Sequence, residues 1–227
     1  MLQPLYLAYC LVTFTVLGLT VLLINMFLPS LRRRRAVARA FSRAFLRMAG
    51  ISLRIEGLAR LPRVPCVVVA NHASYIDGLV AAAALPPDFA FVIKKEMVRV
   101  PLAGMLLRRV GSQFVERFDR HKGGVDARRV LKLAATGQSL VFFPEGTFGE
   151  ERQIGRFLGG AFAAAARSRM PVVAMAIHGA REVMPPGRFA LHALPIRIEI
   201  LAVLDAGDAR QRSRELIAGA VGEPLAP

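Results

Sequence analysis

The chain has 227 residues, and 31 lysines and arginines stand against 16 acids, a formal net charge of +15. Yet 54% of its residues are hydrophobic. A chain this apolar can bury a core, which excludes disorder. The length suits one domain with an appendage, and 31 uncharged residues from Met1 to Leu31 argue against a plain soluble globule.

Leu5 to Leu28 is a run mostly of Leu, Val, Ile, Phe and Thr, ended by Pro29 and Ser30. As a helix it is roughly 36 Å long, enough to cross a hydrocarbon core with some tilt. Tyr6 and Tyr9 stand where interfacial aromatics sit. Arg32 to Arg35 follow the run, the reverse of a signal peptide, whose positive charge comes first. The positive-inside rule then places the rest of the chain on the cytoplasmic side of a cell membrane, in a bacterium the inner one. A hairpin half-inserted in one leaflet is the main alternative, and a buried core helix the lesser one.

Ala36 to Ala49 places Val37, Phe41, Phe45 and Met48 at helical spacing, with Arg39, Arg43 and Arg47 four apart. This predicts a basic amphipathic helix suited to an anionic membrane surface. An arginine face on an ordinary packed helix is the alternative. The chain thus divides into a membrane-anchoring helix over 1–31, a basic amphipathic helix over 32–50 and a third unit over 51–227. Cys10 and Cys66 are expected unpaired, as small hydrophobes in a reducing compartment.

In the third unit, Ile51 to Ile55 alternates as a strand and Cys66 to Ala70 is a short apolar run, the mark of a buried strand. A helix follows Asp77 to about Leu85. Strands are expected at Phe89 to Ile93, Gln113 to Glu116, Ser139 to Phe143, Pro171 to Ile177 and around Ile196 to Ile200. Helices are expected at Pro101 to Val110, Val125 to Thr136, Phe157 to Arg167 and Asp208 to Val221, with Gly222 to Pro227 frayed. This alternation predicts an α/β domain, a mixed sheet covered by helices. Sites in such domains gather at the carboxyl ends of strands.

Asn71-His72-Ala73-Ser74-Tyr75-Ile76-Asp77 follows the Cys66–Ala70 strand directly. Five residues turn about 140° beyond one helical turn, so His72 and Asp77 meet only if His72 lies on the loop and Asp77 in the first helical turn. That arrangement suits a general base and its orienter. The spacing recurs at His121 and Asp126, but in a hydrophilic stretch read as a solvated loop. Ser74 is read as a helix cap rather than a nucleophile, since no G-x-S-x-G elbow is present. Phe143-Pro144-Glu145-Gly146-Thr147 ends the Ser139–Phe143 strand. Gly146 there admits close approach of a ligand, Thr147 can donate to a phosphate, and Glu145 can hold a hydroxyl or an arginine.

Four blocks in this order, NHASYID, GSQFVER (Gly111 to Arg117), FPEGT and MPVVAMAIHG (Met170 to Gly179), resemble the glycerolipid acyltransferases, in particular the 1-acylglycerol-3-phosphate acyltransferase family. The resemblance covers roughly residues 50–204. It implies that 51–227 is an acyltransferase domain with His72 as general base and Asp77 as its partner. Arg117 would bind the acceptor's phosphate, as guanidinium geometry allows. Glu145 and Gly146 would line the acceptor site, with Thr147 beside them, and Pro171 would mark the acyl-donor block. Two departures stand out: Phe148 where the family often has arginine, and Leu158 and Gly159 where it often has a lysine. Arg152 and Arg156 are the candidate replacements, and Lys94, which falls where the family tends to have it, is a further candidate cation for the substrate.

The implied activity is O-acyl transfer from acyl carrier protein or acyl-CoA to a lysophosphatidic-acid-like acceptor at a membrane, directly and without a cofactor or metal. The same chemistry on a lysophospholipid or lyso-amino lipid is the alternative, and a non-catalytic membrane adaptor the third reading. A nucleic-acid partner is not expected: the charge is concentrated beside an apolar anchor and no nucleic-acid motif is present.

Overall fold

A computed structural model describes residues 2–116 and 120–227, with backbone alone at 2 and 120–127. The helices are α1 (Leu2–Phe27), α2 (Leu31–Met48), α3 (Asp77–Ala84), α4 (Ala103–Arg109), α5 (Arg120–Ala135), α6 (Gly160–Ser168), α7 (Ala180–Val183) and α8 (Ala209–Val221). The strands are β1 (Leu53–Glu56), β2 (Val67–Ala70), β3 (Phe89–Lys94), β4 (Gln113–Val115), β5 (Ser139–Phe142), β6 (Val172–His178) and β7 (Ile196–Leu204).

The strands form one sheet in the order β1-β7-β6-β2-β5-β3-β4. β6, β2, β5, β3 and β4 run parallel to one another, β7 runs antiparallel to β6, and β1 pairs parallel with β7. The sheet is mixed, as expected. β2 lies at its centre, buried on both faces, which is why its sequence is continuous Val rather than alternating. Val68 and Ala70 pack with α3 residues such as Val80 and Ala84. Val67 and Val69 pack on the other face with α6 and α8 residues such as Ala164 and Ile217. Ile196, Ile198 and Ile200 of β7 point to the α3 side and are fully buried. Each contributes roughly 1.5–3 kcal/mol by leaving water.

Several expectations are corrected. Pairing at the first strand starts at Leu53, because the Ile51 amide is still bonded to Leu46 O at the end of α2. His121 and Asp126 lie on helix α5, which begins at Arg120, and not on a loop. α6 begins at Gly160 rather than Phe157, because Leu158 N bonds back to Pro144 O and Phe157 is buried. The tail is not frayed. Leu225 pairs with Ile154, through Ile154 N to Pro224 O at 2.8 Å and Ala226 N to Ile154 O at 3.0 Å.

The arginine face of α2 also turns out differently. Arg43 and Arg39 donate to Ala83 O and Ala84 O at the carboxyl end of α3. They satisfy carbonyls that a helix end leaves unpaired. Arg35 is buried and donates to Val110 O, Asp88 O and Gln138 Oε1. Arg32 pairs with Asp88 at 2.9 Å. Much of the basic run therefore faces the domain, while Phe41 and Phe45 bury against Phe14 of α1.

α1 is long and apolar enough, over Gln3–Phe27, to cross a membrane by length and composition. It nevertheless lies along its own domain. Tyr6 donates to Ala49 O at 2.7 Å near its start. Arg109 of α4 donates to Asn25 O and Met26 O near its end. Leu5, Val12, Val16, Leu23 and Phe27 form its exposed side.

The turn from β6 into α7 depends on Gly179. Its φ is +80°, and a Cβ there would stand 2.5 Å from Pro195 O. Gly179→Ala is therefore expected to cost about 2 kcal/mol. That corresponds to a melting temperature lower by roughly 4–8 °C for a chain of this size, read by thermal denaturation in detergent.

Candidate active site

β2 delivers the site. Asn71 extends the strand's pairing through its side chain: Nδ2 donates to Ile177 O at 2.9 Å, and Oδ1 accepts from Ile177 N at 2.8 Å. The backbone then leaves the sheet at a fixed point, and His72 sits on the loop ahead of α3. Asp77 begins α3, as its spacing required.

His72 Nδ1 lies 2.8 Å from Asp77 Oδ2. The same oxygen accepts Ala73 N at 2.7 Å and Ser74 N at 2.8 Å. The Asp77 side chain is 1% exposed and that of His72 19%. A carboxylate on Nδ1 fixes the proton there and leaves Nε2 as the basic nitrogen. The ring is held from the sides as well, stacked on Phe143 at 4.6 Å and met edge-on by Phe148 at 4.4 Å. Tyr75 in turn packs against Phe148 at 4.8 Å. Ser74 is buried, donates to Met184 O and accepts from Ile76 N. It anchors the turn and has no nucleophile's exposure.

Glu145 at the end of β5 accepts His72 N on Oε1 and Gly155 N on Oε2, both at 2.7 Å. Burial pushes its carboxyl above the ordinary range, and the two amide bonds act in the other direction. Instead of a substrate hydroxyl or an arginine, Glu145 holds two backbone amides. Gly146 turns beside it at φ +80°, and Thr147 is exposed.

The cationic candidates are spread out. Lys94 is exposed at the carboxyl end of β3, two strands from β2 and so roughly 10 Å across the sheet. Arg152, largely exposed, pairs with the partly exposed Glu182 at 2.7 Å. Arg156 is exposed next to Gly155. Arg117 lies outside the described residues. Pro171 is not brought to the site. It precedes β6, and its carbonyl accepts Val67 N at the amino end of β2. That is the far edge of the sheet, at least roughly 13 Å from His72 along the strand.

Three contributors carry no clear mark in the sequence. Asn71 is one, Phe148 as a ring on His72 is another, and Arg181 is the third. Arg181 is buried and donates to Gly149 O at 2.7 Å, with Glu223 3.7 Å away. It clamps the loop after Thr147 to α7 and the tail.

An apolar cavity of about 510 Å³ opens between α1, α2, α3, β3 and α4. Phe14, Phe41, Leu79, Phe89, Met97 and Leu107 are among its walls. Gly78 and Leu79, which follow Asp77 in α3, are among its lining residues.

A histidine held by a buried carboxylate stands at the carboxyl edge of the α/β sheet, an arrangement suited to a general base and its orienter. The chain belongs to the acyltransferase family, whose sequence profile matches residues 52–178. It is 33% identical over 135 residues to a chloroplastic 1-acyl-sn-glycerol-3-phosphate acyltransferase of Brassica napus, covering 59% of this chain and 39% of that one. It is 35% identical over 118 residues to the lyso-ornithine lipid O-acyltransferase of Rhizobium meliloti, covering 52% and 39%. The matched segment thus spans about two fifths of the length of these relatives. The fold is that of the crystal structure of the 1-acyl-sn-glycerophosphate acyltransferase from Thermotoga maritima. The TM-score is 0.79 at 21% identity, covering 96% of this chain and 92% of that one.

Asp77→Asn should keep the side chain's volume but place an amide where the Nδ1 proton is held. The rate of acyl transfer should fall by roughly 10³–10⁴-fold. KM values measured alongside should stay close to wild type.

Proposed function

We propose that this chain transfers a fatty acyl group from an acyl thioester, acyl carrier protein or acyl-CoA, to the free hydroxyl of a lysophosphatidic-acid-like acceptor. The observation that carries the reading is the His72–Asp77 pair, 2.8 Å apart with Nε2 left basic. His72 Nε2 takes the acceptor's proton as its oxygen attacks the thioester carbonyl. Asp77 stabilises the imidazolium that forms. The tetrahedral intermediate collapses, the C–S bond breaks, and the thiolate receives the proton from His72. Transfer is direct: Ser74, Cys10 and Cys66 are buried, and none is presented as a nucleophile. The apolar cavity would hold an alkyl chain, its volume falling in the usual range of roughly 300–1,000 Å³ for ligand sites. Arg117, Lys94, Arg152 and Arg156 would supply the cations facing the acceptor's phosphate.

The placement of α1 supports a position in one leaflet of the cytoplasmic membrane face. Packed along α2 and α4 from Tyr6 to Met26, α1 could not span without drawing the arginine-bearing α2 into hydrocarbon. Its exposed Leu, Val and Phe side would lie in the acyl layer.

A second reading has its own observation. Phe148 occupies the position where the resemblance implies arginine, and it packs on the catalytic ring. An aromatic there suits a lyso-amino lipid better than a phosphomonoester.

Complementation of a strain deficient in phosphatidate synthesis tests the first reading, with His72→Ala as the control that should fail. Purified protein assayed on a lysolipid panel with both donors should lose at least about 100-fold in rate with His72→Ala. No transfer by wild type on any lysolipid would favour a membrane adaptor instead, and full transfer by His72→Ala would remove His72 as the base. Phe148→Arg should raise kcat/KM for lysophosphatidate over a lyso-amino lipid about tenfold, the worth of one charge-assisted hydrogen bond.

A further inference from the structure

We infer that Glu145 is a positioning residue that acts through His72 rather than a contact for the acceptor, a role that rests on His72 being the base. Its two oxygens are both engaged by backbone amides, His72 N and Gly155 N, each at 2.7 Å. Both lengths lie at the short end of the N–H···O range. Asp77 fixes the imidazole relative to its own loop, since its other partners are Ala73 N and Ser74 N. Glu145 does something different. It ties that loop, at the His72 backbone, to the segment that runs from β5 to α6.

Gly155 supports the assignment. Its φ lies outside the left-handed region, so backbone conformation does not demand glycine there. What demands it is the approach of Glu145: a Cβ on residue 155 would stand 2.9 Å from Oε2. The segment around it is fixed elsewhere by Arg181 to Gly149 O, by Arg152 to Glu182 and by the pairing of Ile154 with Leu225. Glu145 therefore links a clamped loop to the catalytic histidine, and the height of His72 above the sheet follows from that loop.

Glu145→Ala, Glu145→Gln and Gly155→Ala test this in the full-length protein. Glu145→Ala should lower kcat about 100-fold, the scale of an ångström-level misplacement of a catalytic group. KM for the lysolipid and for the acyl donor should stay within about twofold. Glu145→Gln, which keeps one acceptor oxygen, should recover part of the loss. Gly155→Ala should lower kcat alone, and should add little in a Glu145→Ala background, because both act on one contact. Amide hydrogen exchange supplies a readout independent of turnover: His72 N and Gly155 N should exchange faster in Glu145→Ala. A raised acceptor KM with kcat retained would overturn the proposal and return Glu145 to the acceptor site. So would unchanged exchange at His72. Wild type inactive on every lysolipid would instead overturn the acyltransfer reading, and the exchange measurement would still decide whether the link exists.

Discussion

One buried oxygen organises this molecule. Asp77 Oδ2 receives the imidazole Nδ1 and two backbone amides, at a side chain almost wholly removed from water. A carboxylate in that setting is tolerable only because donors converge on it. The requirement runs outward from there. The loop must present Ala73 N and Ser74 N inward, β2 must end where it does, and Asn71 must close the gap to β6. Because β2 is the central strand and is buried on both faces, none of these positions can drift without disturbing the core. The position of the His72 ring is inherited from this constraint.

The second organising element is less expected: arginine used as a structural donor. Arg35, Arg39 and Arg43 of α2 direct their guanidinium groups at carbonyls at the end of α3, just ahead of β3 and just after α4. Arg181, Arg210 and Arg214 do the same for carbonyls at Gly149, Phe157 and Gly155. A guanidinium carries five donors in a rigid fork and is less strongly hydrated than an ammonium, so it suits this use. The large positive charge is therefore only partly a statement about what lies outside the protein.

What could be read from the sequence follows from how local each signal is. β2 and β6 were legible because a strand buried on both faces is a continuous apolar run. The His72–Asp77 contact was legible because the two residues sit five apart behind such a strand, one on the loop and one at the start of a helix. The partners of Glu145 were not, because they are backbone amides at positions 72 and 155, and an amide has no side-chain signature. The arginine-to-carbonyl bonds were hidden for the same reason. The tail looked frayed because Gly222 to Pro227 has no periodicity, yet two backbone bonds to Ile154 hold it. Pro171 was drawn toward the site by its block in the resemblance, whereas the parallel order of β2 and β6 puts it at the opposite edge.

The docking of α1 on α2 has a practical side for anyone wishing to handle this protein in water. Trimming the apolar helix would strip Phe41 and Phe45 of their cover and open one wall of the large cavity. Trimming α2 as well would leave the end of α3 without its guanidinium donors. The apolar helix thus shares its packing with the rest of the fold. A soluble form would have to come from repainting the outward residues of α1, such as Leu5, Val12, Val16 and Leu23, while leaving the inward ones in place.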